Sequence, residues 1–191
     1  PALRDFLMVE GFDQGPEAFD LEADLKSYEP QPAWTPADGF QIRLAKESDI
    51  PTLETFLRKE FPGRWHYDTL AKIDVEGRPD FVAILEEGDQ CRGFAITQDA
   101  SHGLPIAGGV WKHDLGKNWG SLGPIGVSKS LRGRGLGDAL LAQSLVNLKQ
   151  RGVQRCIIDW TTLGEWYGKH GFEISRRYNS YTLRLDHGVR H

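Results

Sequence analysis

Ten of the 22 glycines lie between residues 101 and 137, and the last of them open a helix. This clustering constrains the fold more than any other feature, because glycine lacks the Cβ that keeps a backbone away from its neighbours. Within it, WGSLGPIGVS (119–128) has the apolar content of a strand but carries three glycines and Pro124, which a central strand does not accommodate. The pattern predicts a bulged strand, or a stretch where a ligand meets bare backbone. RGRGLG (132–137) then runs into a helix predicted over about 134–151 and ended by Gly152, with Leu141, Leu145 and Leu148 as a core stripe supported by Leu136 and Leu140. Unpaired helix-start amides, free of Cβ and flanked by Arg132 and Arg134, suit a phosphate. The spacing G-x-G-x-G is neither the dinucleotide pattern G-x-G-x-x-G nor a P-loop, since no Gly-Lys-Ser/Thr follows.

The flanking sequence predicts an α/β unit. Strands are expected at 40–45, at 80–87 and 90–98 joined by Gly88-Asp89, and at 155–161. Helices are expected at 48–61, with Ser48 or Asp49 as cap and Pro51 in the first turn, at about 66–75, and at 162–170. Residues 101–118 read as a loop or an irregular strand pair, and 172–185 as two alternating strands. The three prolines of 26–39 mark a linker. Residues 1–25 echo the later helix–Gly–Phe stretch: Phe6 to Phe12 has the spacing of Trp166 to Phe172. They therefore read as the last helix and hairpin of a preceding, similar domain, with 40–186 as the main domain and 187–191 as a tail. The first residue is Pro rather than Met, which reads as a piece of a longer chain.

Composition narrows the function classes. With 23 basic and 27 acidic residues the net charge is −4, which disfavours nucleic acid and anionic membrane as partners. Two cysteines 65 positions apart supply neither a disulfide framework nor a Cys-based zinc site. No apolar run or leader pattern appears, and the chain reads as soluble and cytosolic.

Arg132-Gly133-Arg134-Gly135-Leu136-Gly137 fits the acetyl-CoA motif Q/R-x-x-G-x-G/A at every fixed position, and here the sequence resembles the GNAT superfamily of N-acetyltransferases. A second signature, aromatic-Tyr-x-x-x-Gly-Phe, is met by Trp166, Tyr167, Gly171 and Phe172, in the expected order and with the right elements between. The resemblance covers about residues 40–186. It implies a mixed, mostly antiparallel central sheet, splayed at the Val127 strand and flanked by helices. It also implies acetyl-CoA as acyl donor and no metal, with Ile125, Gly126 and Val127 bonding the pantetheine arm and the N–H groups of 132–137 holding the pyrophosphate. Tyr167 would protonate the departing thiolate, as strand amides near Ile125–Val127 hold the oxyanion. A phenol with an ordinary pKa near ~10 is a competent acid towards a thiolate whose conjugate acid lies near ~8.5. One departure stands out: many members carry an Asn seven residues before the Tyr, where this chain has Trp160, leaving Thr161 or Thr162 to substitute or merely to cap the helix.

The base is less clear from sequence. No acid lies between 119 and 128, so Asp159 is the first candidate, with Glu60 and His66 behind it and His113 read as a solvated loop residue. For the acceptor, Glu60, Trp65, His66 and Trp160 are the binding candidates, with Arg64, Tyr67, Trp111 and Trp119 nearby. Flat aromatics mixed with polar groups suit a small polar amine, although tryptophans equally build cores. Similarity to tandem GNAT modules, some fused to amino-sugar hydrolases, implies an amino sugar, and a preceding GNAT-like domain or a homodimeric partner. The rival reading is a degenerate module that binds acyl-CoA, or packs against a partner domain, without turnover.

Overall fold

The computed structural model of the protein describes residues 2–185. The predicted C-terminal tail, 187–191, lies outside the described residues. In chain order the elements are α1 (Ala2–Val9), β1 (Asp13–Asp24), β2 (Phe40–Leu44), α2 (Ile50–Glu60), α3 (Arg64–Glu76), β3 (Val82–Glu87), β4 (Gln90–Asp99), α4 (Lys112–Leu115), β5 (Trp119–Val127), α5 (Leu136–Gln150), β6 (Arg155–Thr161), α6 (Gly164–Gly168) and β7 (Glu173–Thr182). One seven-stranded sheet has the order β2-β3-β4-β5-β6-β1-β7, with β5/β6 as its parallel pair and the other pairs antiparallel. The mixed, mostly antiparallel sheet flanked by helices is the expected one.

Two apolar layers cover it. The leucine stripe of α5 is buried: Leu141, Leu145 and Leu148 pack with Leu122, Ile158 and Tyr167, while Leu136 and Leu140 meet Ala83, Leu85 and Ala95. On the other side, Leu53, Phe56 and Leu57 of α2 pack on Ile84, Phe94 and Ile96. Alternation along β3 and β4 explains this division, since successive side chains face opposite sides of a pleated strand.

Three expectations are corrected. Residues 13–24 form one long strand, not part of a hairpin, and β1 sits between β6 and β7 in this same sheet. Its alternating burial over Ala18, Asp20 and Leu21 to Leu25 supplies apolar side chains that β6 and α5 would otherwise leave uncovered. The stretch after 172 is correspondingly a single strand within the described residues, because β1 already holds the neighbouring place. The loop 101–118 contains a 3-10 turn at Ala107–Trp111 and α4. Gly108 packs there against Ile157, where a Cβ would come within 2.8 Å of a methyl group.

Lys72 of α3, fully buried, anchors the same loop. Its ammonium lies 3.0 Å from Glu76 and donates to the carbonyl of Leu104, while Glu76 accepts the N–H of Leu104 at 2.9 Å. Burial pushes the Glu76 carboxyl up, but the Leu104 amide, Lys72 and the Gly103 amide outweigh it and bring it to about 2.

Candidate active site

The site begins with a strand that leaves its neighbour. β5 pairs with β6 only from Trp119 to Ser121, opposite Arg155 to Ile157, so beyond Ser121 the two parallel strands part. On its other edge β5 stays paired with β4 as far as Val127, through a register shift between Ala95 and Thr97 that accommodates Gly123 and Pro124. The bulge predicted from Pro124 is there. The N–H of Ser128 donates to the carbonyl of Arg92 at 2.8 Å. Because successive residues of a strand point their amides to alternate edges, the N–H groups of Ile125 and Val127 face the opening towards β6.

Gly126 also makes room for a side chain of this chain. A Cβ there would lie 2.4 Å from the ring of Phe61, which closes the end of α2 and stacks on Trp65 with centroids 5.3 Å apart. The bare backbone at 126 admits an aromatic of this chain, so the sheet face is sealed and the strand edge is left as the binding surface.

Downstream, Gly133 and Gly135 take the left-handed conformation, at φ +77° and +74°, and Gly135 is the N-cap of α5. That geometry turns the chain sharply enough to point consecutive amides outward. The first helical amide with a backbone acceptor is Ala139, bonded to Gly135 at 3.1 Å. Among the described residues, the N–H groups of 133–138 have no hydrogen-bond partner, and Arg132 and Arg134 are exposed with no ion-pair partner. A row of free donors, the positive end of a 15-residue helix and two cations make an anion cradle.

α6 is locked to this cradle. The indole of Trp166 lies against Gly137 and donates to Asp138 at 2.8 Å, and His170 meets the same carboxylate at 3.2 Å. From the linker, Trp34 stacks on His170 with ring centroids 3.8 Å apart. Asp138 is thereby engaged by α6 rather than left to repel an anion.

Between the parted strands lies a cavity of about 340 Å³, lined by Arg64, Trp65 and Asp68 of α3, Leu122–Ile125 of β5, Ile158–Leu163 and Tyr167. The structure thus brings together Tyr167, Asp159, Ile125, Trp65 and Trp160. Burial, with a smaller contribution from the charge of Asp159, pushes the Tyr167 phenol well above its ordinary range, so it stays protonated at neutral pH. Its hydroxyl has no hydrogen-bond partner within the described residues. Burial also raises the Asp159 carboxyl, and Asp20 adds to the effect.

Other sequence candidates fall elsewhere. The carboxylate of Glu60 accepts the N–H of Lys129 at 3.0 Å, tying α2 to the turn after β5, and does not line the cavity. His66 points into protein, its Nε2 buried without a partner and away from the cavity lining. Glu60, at the end of α2, is turned to the Lys129 amide, and His66 misses because only one face of α3 meets the cavity: Arg64, Trp65 and Asp68 are on it and His66 is not. Trp119 is buried with Leu115 and Ile157, and Trp111 packs on that cluster under the guanidinium of Arg176. Thr161 caps the turn into α6, its hydroxyl accepting the N–H of Leu163 at 3.1 Å. Asp68 and Arg64 are the residues that sequence reasoning passed over or left at the margin. Their i,i+4 spacing, which pairs them at 3.5 Å, was the available signal.

A family model described as acetyltransferase (GNAT) family matches residues 50–172. Among solved structures, the GCN5-related glucosamine N-acetyltransferase region of a fungal multi-domain GH3 beta-N-acetylglucosaminidase superposes with a TM-score of 0.83 at 22% identity, covering 94% of this chain and 22% of that one. A GCN5-related N-acetyltransferase from Sphaerobacter thermophilus gives 0.68 at 20% identity, over 94% of this chain and 56% of the other. The chain therefore spans about a fifth of the first neighbour and just over half of the second, and at these identities the likeness is one of fold. No curated protein sequence matches. The family match runs from the start of α2 through the parted strands and the free amides to Phe172, and the chain belongs to the GNAT acetyltransferase family.

Proposed function

We propose that the protein is an acetyl-CoA-dependent N-acetyltransferase acting on the primary amine of a small polar acceptor. The observation that carries this reading is the meeting, in one cavity, of a protonated phenol, a carboxylate of raised basicity and the unpaired edge of β5. Such a set provides proton removal, charge stabilisation and proton return within one enclosure. Free amides at 133–138, with Arg132 and Arg134, suit a diphosphate and thereby give the donor a fixed direction.

The donor supplies an acyl carbonyl activated by a thiolate leaving group. In this reading the N–H groups of Ile125 and Val127 bond the donor's arm and the developing oxyanion. Asp159 takes the proton of the incoming ammonium, directly or through water, and Tyr167 returns one to the departing sulfur. Asp68 and Asp159 hold the ammonium before it is deprotonated, and Trp65 and Trp160 flank the body of the acceptor. Aromatic walls with carboxylates at one end favour an amino sugar among polar amines. We read the domain as cytosolic, working beside a preceding domain of the same kind or a second copy. The exposed apolar side chains of α1, Leu3, Phe6 and Val9, support such a neighbour.

The test measures CoA binding and thiol release separately across a panel of amines that includes hexosamines. Turnover restricted to small polar amines supports the assignment. Binding of CoA with no thiol release on any amine would favour the non-catalytic module.

A further inference from the structure

Opposite Asp20, β6 breaks register. Phe19 pairs with Thr161 and Leu21 with Ile158, so Asp20 alone faces both Asp159 and Trp160. On its other edge the register with β7 also shifts at Asp20, with Ser175 the extra residue between Ile174 and Arg176. In a regular strand Asp159 and Trp160 would point to opposite faces; with the bulge, six consecutive residues, 158–163, line the one cavity. It does so at the cost of backbone strain. Trp160 has φ +45°, a left-handed conformation that is an outlier for a bulky residue.

The counterweight is a buried carboxylate. Asp20 is 1% exposed, and its Oδ1 accepts the backbone N–H of Trp160 at 2.9 Å. Its Oδ2 accepts the hydroxyl of Tyr178 at 2.6 Å, and Arg176 lies 4.0 Å away. The Tyr178 ring in turn meets the Trp160 indole, centroids 5.0 Å apart, while that indole stays 63% exposed at the rim of the cavity. Charge-assisted bonds of this kind are the strong ones, and a large apolar ring held in place on the solvent side is otherwise unfavourable.

We propose that Asp20, from the N-terminal strand, is a positioning residue for the acceptor: it holds the β6 bulge that turns Asp159 and Trp160 into the same cavity. The proposal rests on the acetyltransferase reading for its kinetic consequence, but not for its structural one. A second effect follows from the same placement. Burial and Asp20 raise Asp159, while Arg64 and the Gly108 amide oppose them, and Tyr167 and Tyr178 face it as neutral phenols.

The test uses Asp20→Ala, which removes both bonds, and Asp20→Asn, which keeps an acceptor for the Trp160 amide but removes the charge. Amide hydrogen exchange of the 155–163 peptide requires no activity. Asp20→Ala is expected to lose protection at Trp160 and Asp20→Asn to keep it; protection unchanged in Asp20→Ala overturns the proposal. Steady-state rates then read the acceptor side. Asp20→Ala should raise the acceptor KM by about ten- to a hundredfold, the worth of one charge-assisted hydrogen bond, with the acetyl-CoA KM within about twofold. Equal rises in both constants contradict a role confined to the acceptor. In Asp20→Asn the acid limb of kcat/KM should move to lower pH, because a like charge beside Asp159 is gone; an unmoved limb counts against the proposal. Absence of wild-type thiol release on every amine refutes the acetyltransferase reading instead, and the exchange result still decides the role of Asp20. If Asp20→Ala does not fold, Tyr178→Phe, which keeps the ring beside the Trp160 indole but removes the hydroxyl bond to Asp20, takes its place with the same expected split of KM values.

Discussion

The two sides of the site are built in opposite ways. The proposed donor side is one contiguous run, 125–138, whose chemistry is backbone: free strand amides at Ile125 and Val127, then six helix-start donors, with two arginines beside them. The proposed acceptor side gathers side chains from Asp20 in β1, Arg64 and Asp68 in α3, Asp159 and Trp160 in β6, and Tyr167 in α6. Backbone donors need only the right dihedral angles, which glycine permits. Side chains need their own rotamers, charges and neighbours fixed by contacts distant in sequence, such as the clamp of Lys72 and Glu76 on Leu104. In the proposed reading, donor recognition is carried by one short motif, whereas acceptor recognition requires the whole sheet, including its N-terminal strand.

That contrast can be broken by experiment. The largest effect is expected at the junction of the two sides. Tyr167→Phe should lower kcat by about 10²–10⁴, the usual worth of a general acid, while CoA affinity measured by calorimetry stays within about twofold. A parallel loss of affinity would mean that the phenol holds the donor rather than serving the chemistry. Next, Asp159→Asn should remove the acid limb of the kcat/KM profile. In the wild type that limb should lie above the ordinary carboxylate range near ~4, because burial raises Asp159 and only its ionised form accepts a proton. A wild-type limb at or below that range assigns the base elsewhere.

A third substitution separates the sides. Gly135→Val places a β-branched residue at φ +74°, strained by about 1–2 kcal/mol, and should raise the acetyl-CoA KM about tenfold while leaving the acceptor KM unchanged. The smallest effect concerns the clamp on the loop whose Ile106 and Ala107 line the cavity. The Glu76 carboxyl is depressed to about 2, so its stabilisation is fully present above the unfolded pKa near ~4.5 and is lost as pH falls towards about 2. Glu76→Gln should lower stability by about 1.5–3 kcal/mol at pH 7 in urea denaturation, and the gap to the wild type should narrow by pH 3. A gap independent of pH would mean that the loop is held by packing alone.

The legibility of each part follows from the same contrast. β6 was readable to the residue, at 155–161, and α5 within two residues, because local apolar periodicity and capping decide them. The bulge in β5 was visible in Pro124 and the glycines around it, while the parting from β6 came only from the family resemblance, and the reason for Gly126 was hidden until Phe61 was seen to fill the place of its Cβ. β1 was misread as part of a hairpin of a preceding domain, since pairing between residues 13–24 and 155–182 is set by a sheet assembled across the whole chain. Asp20 was invisible for that reason. Its weight comes from a bulge two strands wide, and an isolated Asp between Phe19 and Leu21 carries no local sign of it. Glu60 and His66 were plausible by proximity to the turn between α2 and α3, but Glu60 is turned to the Lys129 amide and the helix phase of α3 keeps His66 off the cavity.

The most direct measurement is an amide NMR titration with CoA set beside one with pantetheine, which lacks the diphosphate. CoA should perturb the amides of 133–138 together with Ile125 and Val127, and pantetheine should affect only the latter pair. If CoA leaves 133–138 unchanged while saturating the protein, the free amides are not the donor's anchor and the cradle has been misread.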